Sequence, residues 1–133
     1  MYKLDQIVIF CGGFGTRLSK ISKGVPKPLI KIKNTNFIEI LIQNLSRFNF
    51  KKVLLLCHYK GIKFYKKYHN KKINGLLIRC IIEKKPLGTA GSLSKIYSNK
   101  STPIIVANGD VISNINYSEF LNYHNKNNGD ASM

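Results

Sequence analysis

Short, nearly unbroken apolar runs alternate along the chain with segments whose apolar residues recur at helical spacing. Ile7–Cys11, Val53–Cys57, Leu76–Ile82 and Ile104–Ala107 show little polar alternation, which predicts strands buried on both faces. Between them, Phe37–Phe48 sets Ile38, Leu41, Ile42 and Leu45 on one helical face. Gly61–His69 reads as a short lysine-rich helix, and Asn74-Gly75 as the turn before the third strand. Thr89–Tyr97, following Pro86 and Gly88, predicts a helix with Leu93, Ile96 and Tyr97 facing inward. Ser118 is expected to cap a last helix through Tyr123 and beyond. Strands and helices in alternation predict an α/β protein with a three-layer, Rossmann-like fold and a mostly parallel sheet. Ligands bind such sheets at the carboxyl ends of the strands. The glycine-rich segment after the first strand, Glu83 after the third and Asn108-Gly109-Asp110 after the fourth all fall on that edge.

A length of 133 residues corresponds to at most one domain, and 44% hydrophobic residues suit a packed core. No apolar run approaches the ~20 residues that span a bilayer, so no membrane association is expected. Met1–Gln6 runs into the first strand with no apolar leader or cleavage site, which predicts a cytoplasmic protein. The formal net charge is +16. Its lysines are scattered in pairs such as Lys51-Lys52, Lys66-Lys67 and Lys71-Lys72, without interleaved aromatics. That pattern reads as a solvated surface that attracts anionic substrates, not as a nucleic-acid interface. Cys11, Cys57 and Cys80 are far apart and sit in or beside apolar strands, which predicts buried free thiols. His58, His69 and His124 lack metal-ligand spacing and read as surface or structural residues; Tyr59, Tyr65 and Tyr68 read as packing residues.

The chemistry concentrates in Cys11-Gly12-Gly13-Phe14-Gly15-Thr16-Arg17-Leu18 and Pro26-Lys27-Pro28-Leu29. Three glycines within four residues suit a backbone that approaches a ligand closely with its N–H groups exposed. Arg17 and Lys27 add two cations, and Pro26 and Pro28 stiffen the chain around Lys27. Together they are what a polyphosphate requires. The loop is not a Walker A, since no Gly-Lys-Ser/Thr closes it. Nor is it the dinucleotide fingerprint, because Leu18 stands at the third glycine position.

These segments resemble the signature of the sugar-1-phosphate nucleotidylyltransferases, the sugar-nucleotide pyrophosphorylases. Glu83-Lys84-Lys85-Pro86-Leu87-Gly88-Thr89-Ala90-Gly91 and Asn108-Gly109-Asp110 agree in order and spacing, so the resemblance covers nearly the whole chain. Cys11 departs mildly from the family's usual small residue. The resemblance implies transfer of a nucleotidyl group from an NTP to a sugar 1-phosphate, giving NDP-sugar and pyrophosphate with Mg²⁺ as cofactor. Gly12, Gly13, Gly15 and Thr16 would wrap the phosphates. Arg17 would bind the β- and γ-phosphates, and Lys27 the α-phosphate and the sugar phosphate. Asp110 would ligate Mg²⁺, although an Asp after a glycine is also a common turn cap. Positioning and cations do most of the work in such a displacement, and no protein nucleophile is needed.

By the same resemblance Glu83, Pro86 and Gly88 belong to the nucleobase site. A carboxylate only accepts hydrogen bonds, which suits the adjacent N1–H and exocyclic amine of guanine. Glu83 therefore leans toward GTP; a plain ion pair with Lys84 or Lys85 is the other reading. The Pro-Leu-Gly-Thr-Ala-Gly stretch is similar to that of mannose- and heptose-1-phosphate guanylyltransferases, which implies a role in making cell-surface polysaccharide precursors. Members of this family are longer. Residues 1–133 correspond to the nucleotide-binding part, with the sugar-binding half and a second metal-binding Asp absent. The isolated chain is thus expected to have little or no activity, and a non-catalytic nucleotide-binding module is the alternative. A homo-oligomer is compatible with a full-length form.

Overall fold

The computed structural model describes residues 5–14, 22–96 and 103–133. Strand β1 (Gln6–Phe10) is followed by a 3-10 turn at Lys27–Leu29, a small hairpin of β2 (Lys31–Ile32) and β3 (Thr35–Asn36), and helix α1 (Phe37–Leu45). Then come β4 (Lys52–Cys57), α2 (Gly61–Tyr68), β5 (Lys72–Ile73) and β6 (Leu76–Ile82). The chain continues through α3 (Gly88–Ser94), β7 (Ile105–Asn108) and α4 (Tyr117–Asn127). The main sheet has the order β5-β6-β4-β1-β7. Its four longer strands are parallel, and only the edge strand β5 is antiparallel.

Register explains why the strands read as continuous apolar runs. Ile7, Ile9 and Cys11 point to the same side as Val53, Leu55 and Cys57 of β4 and as Ile78 and Cys80 of β6. That face is closed by Ile38, Leu41, Ile42 and Leu45 of α1 and by Phe64 and Tyr68 of α2. The alternate residues Val8, Leu54 and Leu56 meet Leu93 and Ile96 on the opposite face. The sheet is thus the middle of three layers, as its pattern predicts. All three cysteines are buried and free. Hydrogen bonding to Cys11, and burial, push the Cys57 thiol far up, against an opposing pull from Cys80; bonding to Cys57 and burial do the same to Cys80. These are inert core groups.

Three local features differ from the sequence reading. Asn74-Gly75 is not only a turn before β6: its two positive φ angles, 46° and 82°, close a hairpin that adds β5. The β2–β3 hairpin, too short to leave a periodic signal, lies where no element was expected. The cap of α4 is Asn116, whose Oδ1 accepts from the amides of Ser118 and Glu119; Ser118 is already inside the helix. The predicted helix end at Tyr97 lies outside the described residues.

Candidate nucleotide site

Because β1, β4, β6 and β7 run parallel, their carboxyl ends share one edge, and the chain leaving β1, β6 and β7 carries a candidate residue. After β1, the Cys11 amide donates to Leu56 O at 2.8 Å, so Gly12 and Gly13 emerge directly beyond the strand. A Cβ on Gly12 would lie 3.3 Å from His58 Cβ, whereas no atom of the described residues lies within 4 Å of one on Gly13. Gly12 thus sits tightly against His58, and Gly13 presents bare backbone that no described residue covers. Gly15, Thr16 and Arg17 lie outside the described residues.

Lys27 begins the 3-10 turn after Pro26, with Pro28 buried beneath it. Its Nζ lies 3.4 Å from Oδ2 of Asp110, in the turn after β7. The two motifs, distant in sequence, therefore meet beside the glycine segment. Gly109 makes this possible. Its amide donates to Phe10 O at 2.9 Å, and a Cβ there would stand 2.7 Å from that same oxygen. Only glycine lets β7 close this tightly on the end of β1.

Glu83 extends β6 by one step, its amide donating to Cys57 O at 2.7 Å. The residue is 6% exposed, and its Oε1 is buried without a hydrogen-bond partner among the described residues. A carboxylate oxygen left in that state is costly unless something else satisfies it. Neither Lys84 nor Lys85 pairs with it. Pro86 lies exposed in the following connection and Gly88 exposed at the start of α3, where it has φ +67° and no described residue within 4 Å of where a Cβ would be. A cleft of about 270 Å³ lined by Glu39, Lys67 and Tyr68 shares no residue with this edge.

A hard cation takes one or two carboxylates and completes its shell with phosphate oxygens and water. Asp110, 44% exposed at the side chain, fits that description as a single protein ligand. Among the described residues no group of three or more His, Cys, Asp or Glu could hold a metal alone, so phosphate would have to supply much of the shell.

Residues 6–133 match the family of sequences described as nucleotidyl transferase. The chain belongs to the nucleotidyl transferase family. Among relatives of the family, D-glycero-alpha-D-manno-heptose 1-phosphate guanylyltransferase of Campylobacter jejuni is 36% identical over 114 residues, 86% of this chain and 51% of that protein. The mannose-1-phosphate guanyltransferase of Yarrowia lipolytica is 35% identical over 132 residues, 95% of this chain and 36% of its own length. HddC from Yersinia pseudotuberculosis, in a crystal structure complexed with GMP-PN, superposes with a TM-score of 0.77 at 29% identity, covering 93% of this chain and 54% of that one. The chain therefore spans between about a third and a half of the length of these nucleotidyl transferases.

Sequence reasoning left several contributors unassigned. His58, read as surface or structural, places Nδ1 2.9 Å from Glu83 O and thereby braces the nucleotidyl transferase strand end that carries Glu83. Phe14, Tyr59, Lys60 and Gly24 also join the edge, through contacts between segments that no spacing rule connects. Among the described residues no helix is long and apolar enough to cross a membrane.

Proposed function

We propose that this chain is the nucleotide-binding part of a sugar-1-phosphate guanylyltransferase, which joins the GMP moiety of GTP to a sugar 1-phosphate and releases pyrophosphate. The observation that carries the reading is the buried, unpartnered Oε1 of Glu83, on the same edge as Gly13 and the Lys27–Asp110 pair. A guanine N1–H and exocyclic amine would satisfy that acceptor. Uracil and thymine offer one donor between two acceptors and would leave repulsive pairs. The relatives named guanylyltransferases and the GMP-PN complex of HddC support the same base.

The remaining roles are those the family resemblance implies, and the charges of the residues are consistent with them. Gly12, Gly13, Gly15 and Thr16 offer backbone amides to the phosphates, Arg17 neutralises the departing pyrophosphate, and Lys27 draws the α-phosphate and the acceptor phosphate together. Mg²⁺ held by Asp110 would supply charge neutralisation at the phosphates. In this reading the product is a precursor for cell-surface polysaccharide, made in the cytoplasm, where its charged substrates are confined. Titration calorimetry of the 133-residue chain with GTP, UTP and dTTP, each with and without Mg²⁺, tests the assignment. GTP is expected to bind tightest, and Arg17→Ala to weaken it. Equal or tighter binding of UTP or dTTP would refute the base assignment. Pyrophosphate release with a sugar 1-phosphate then separates an active transferase from a module that only binds nucleotide.

A further inference from the structure

The ladder between β4 and β6 runs one bond past the strands, from the Glu83 amide to Cys57 O. Parallel strands donate and accept at even spacing, so the next bond would run from the Tyr59 amide to Glu83 O. β4 ends at Cys57 instead, and the chain turns into α2, with the Gly61 amide donating to His58 O at 3.0 Å. The imidazole of His58 takes the place of the missing amide: its Nδ1 stands 2.9 Å from Glu83 O. A carbonyl oxygen only accepts, so Nδ1 carries the proton in this bond. A side chain thus extends the sheet by one step and fixes residue 83 just beyond the strand.

Glu83 needs such a hold. Its Oε1 is buried with no partner among the described residues, a state that forfeits hydration. A residue loose at its backbone would turn that carboxylate out to water. The His58 ring is itself held in place. It is half-buried, and Phe14 packs edge-on against it with centroids 5.6 Å apart and planes at 80°. Gly12 lets the His58 backbone lie close, since a Cβ there would stand 3.3 Å from His58 Cβ and 3.5 Å from its amide nitrogen. Gly12 and Phe14 both belong to the segment leaving β1, so the imidazole connects that segment to the strand end that carries Glu83.

We propose that His58 is a positioning residue for base selectivity: its bond to the Glu83 carbonyl keeps the Glu83 carboxylate buried in the site, and so sets the preference for guanine over a pyrimidine. The inference rests on reading Glu83 as the acceptor for the base. An acceptor that is desolvated and in place before the base arrives adds no ordering cost to binding. His58 acts through Glu83 and not on the phosphates, so its removal should weaken GTP selectively.

Two variants separate the hydrogen bond from the packing. His58→Phe keeps an aromatic ring against Phe14 and removes the donor. His58→Asn removes the ring and keeps a donor, since its Nδ2 stands as many bonds from the backbone as the imidazole Nδ1. Calorimetry with GTP and with UTP, together with melting temperature, tests them. His58→Phe is expected to lower the ratio of GTP to UTP affinity by about tenfold, with UTP affinity changed less than about twofold. His58→Asn is expected to hold that ratio within about twofold. Unchanged selectivity in His58→Phe would overturn the proposal. So would lost selectivity in His58→Asn, which would assign the effect to the ring. A parallel fall of GTP affinity, UTP affinity and melting temperature in both variants is the mark of a merely structural role and would overturn it as well. If His58→Phe does not fold, His58→Leu removes the same donor with a smaller side chain and carries the same expectation. Absence of any GTP preference in the unmodified chain would instead defeat the base reading of Glu83, and this inference with it.

Discussion

Lys27 Nζ lies 3.4 Å from Asp110 Oδ2 across 83 positions of sequence, so the two charges offset each other. Both side chains are partly exposed, at 30% and 44%, which makes the pair weak and readily exchanged. The arrangement gives Asp110 opposite effects with and without metal. On the proposed reading, without Mg²⁺ its charge would repel the phosphates and occupy Lys27, and with Mg²⁺ it would hold the ion that neutralises them. Asp110→Asn should therefore raise metal-free GTP affinity by roughly two- to fivefold, in line with ~0.5–1 kcal/mol for an exposed charge, and abolish the gain that Mg²⁺ brings. Lys27→Met should weaken GTP under both conditions. Calorimetric titrations of the two variants with and without chelator measure both signs.

Glu83 sets stability against binding. Its Oε1 is buried and unsatisfied, so replacing the carboxylate with an apolar group of similar size removes a desolvation cost. Glu83→Leu should raise the melting temperature by a few degrees, corresponding to about 1 kcal/mol. The same change should eliminate the preference for GTP over UTP. A melting temperature that falls would mean that the carboxylate is satisfied within the fold and is no reader of bases.

Those two sites also show what the sequence could convey. The glycine segment, Glu83 and Asp110 each follow a strand whose apolar run is unmistakable, so their common edge follows from the order of elements alone, whereas the meeting of Lys27 with Asp110 does not. The central core followed for the same reason: α1 repeats its apolar residues at helical spacing, and β4 is apolar nearly throughout. Contacts between segments were hidden. Tyr59 and Lys60 reach Gly24 across more than thirty positions with no periodic signal, and a two-residue strand such as β2 cannot show a period. Asn116 was overlooked as a cap because Ser118, two positions later, is an equally good capping type; only the bonds to its Oδ1 distinguish them.

Glu39 predicts a specific acid sensitivity away from the site. Burial raises its pKa, but hydrogen bonds from Tyr68 and Lys67, the Lys67 charge and the Asn36 amide outweigh it and hold the carboxyl below its usual value of 4.5. Burial and then Glu39 itself push the Tyr68 hydroxyl up, so it stays a donor at 2.7 Å, while it accepts from Asn36 Nδ2 at 2.8 Å. A carboxyl with a depressed folded pKa stabilises the fold fully above its unfolded value, and that contribution disappears as pH falls through the folded value. Wild-type stability should thus drop as pH is lowered from about 5 to 3, and Glu39→Gln should be less stable at pH 7 with a shallower acid slope. Urea melts across that range give both quantities, and identical slopes would remove Glu39 from the account.

Gly109 and Gly13 make a matched pair with opposite expectations. A methyl on Gly109 would press within 2.7 Å of Phe10 O, a backbone atom that cannot swing away, so β7 must shift from β1. Gly109→Ala should destabilise the fold by roughly 1–3 kcal/mol, and it should also blunt the Mg²⁺ dependence of GTP binding by moving Asp110. On Gly13 the same methyl meets nothing within 4 Å among the described residues, so Gly13→Ala should change stability by less than about 0.5 kcal/mol. If phosphate occupies the space beside Gly13, that methyl stands in its way, and GTP affinity should fall by at least about tenfold in a protein that melts normally. The open space is thereby tested directly: a Gly13→Ala chain that binds GTP as well as the original would put the phosphates elsewhere on the edge.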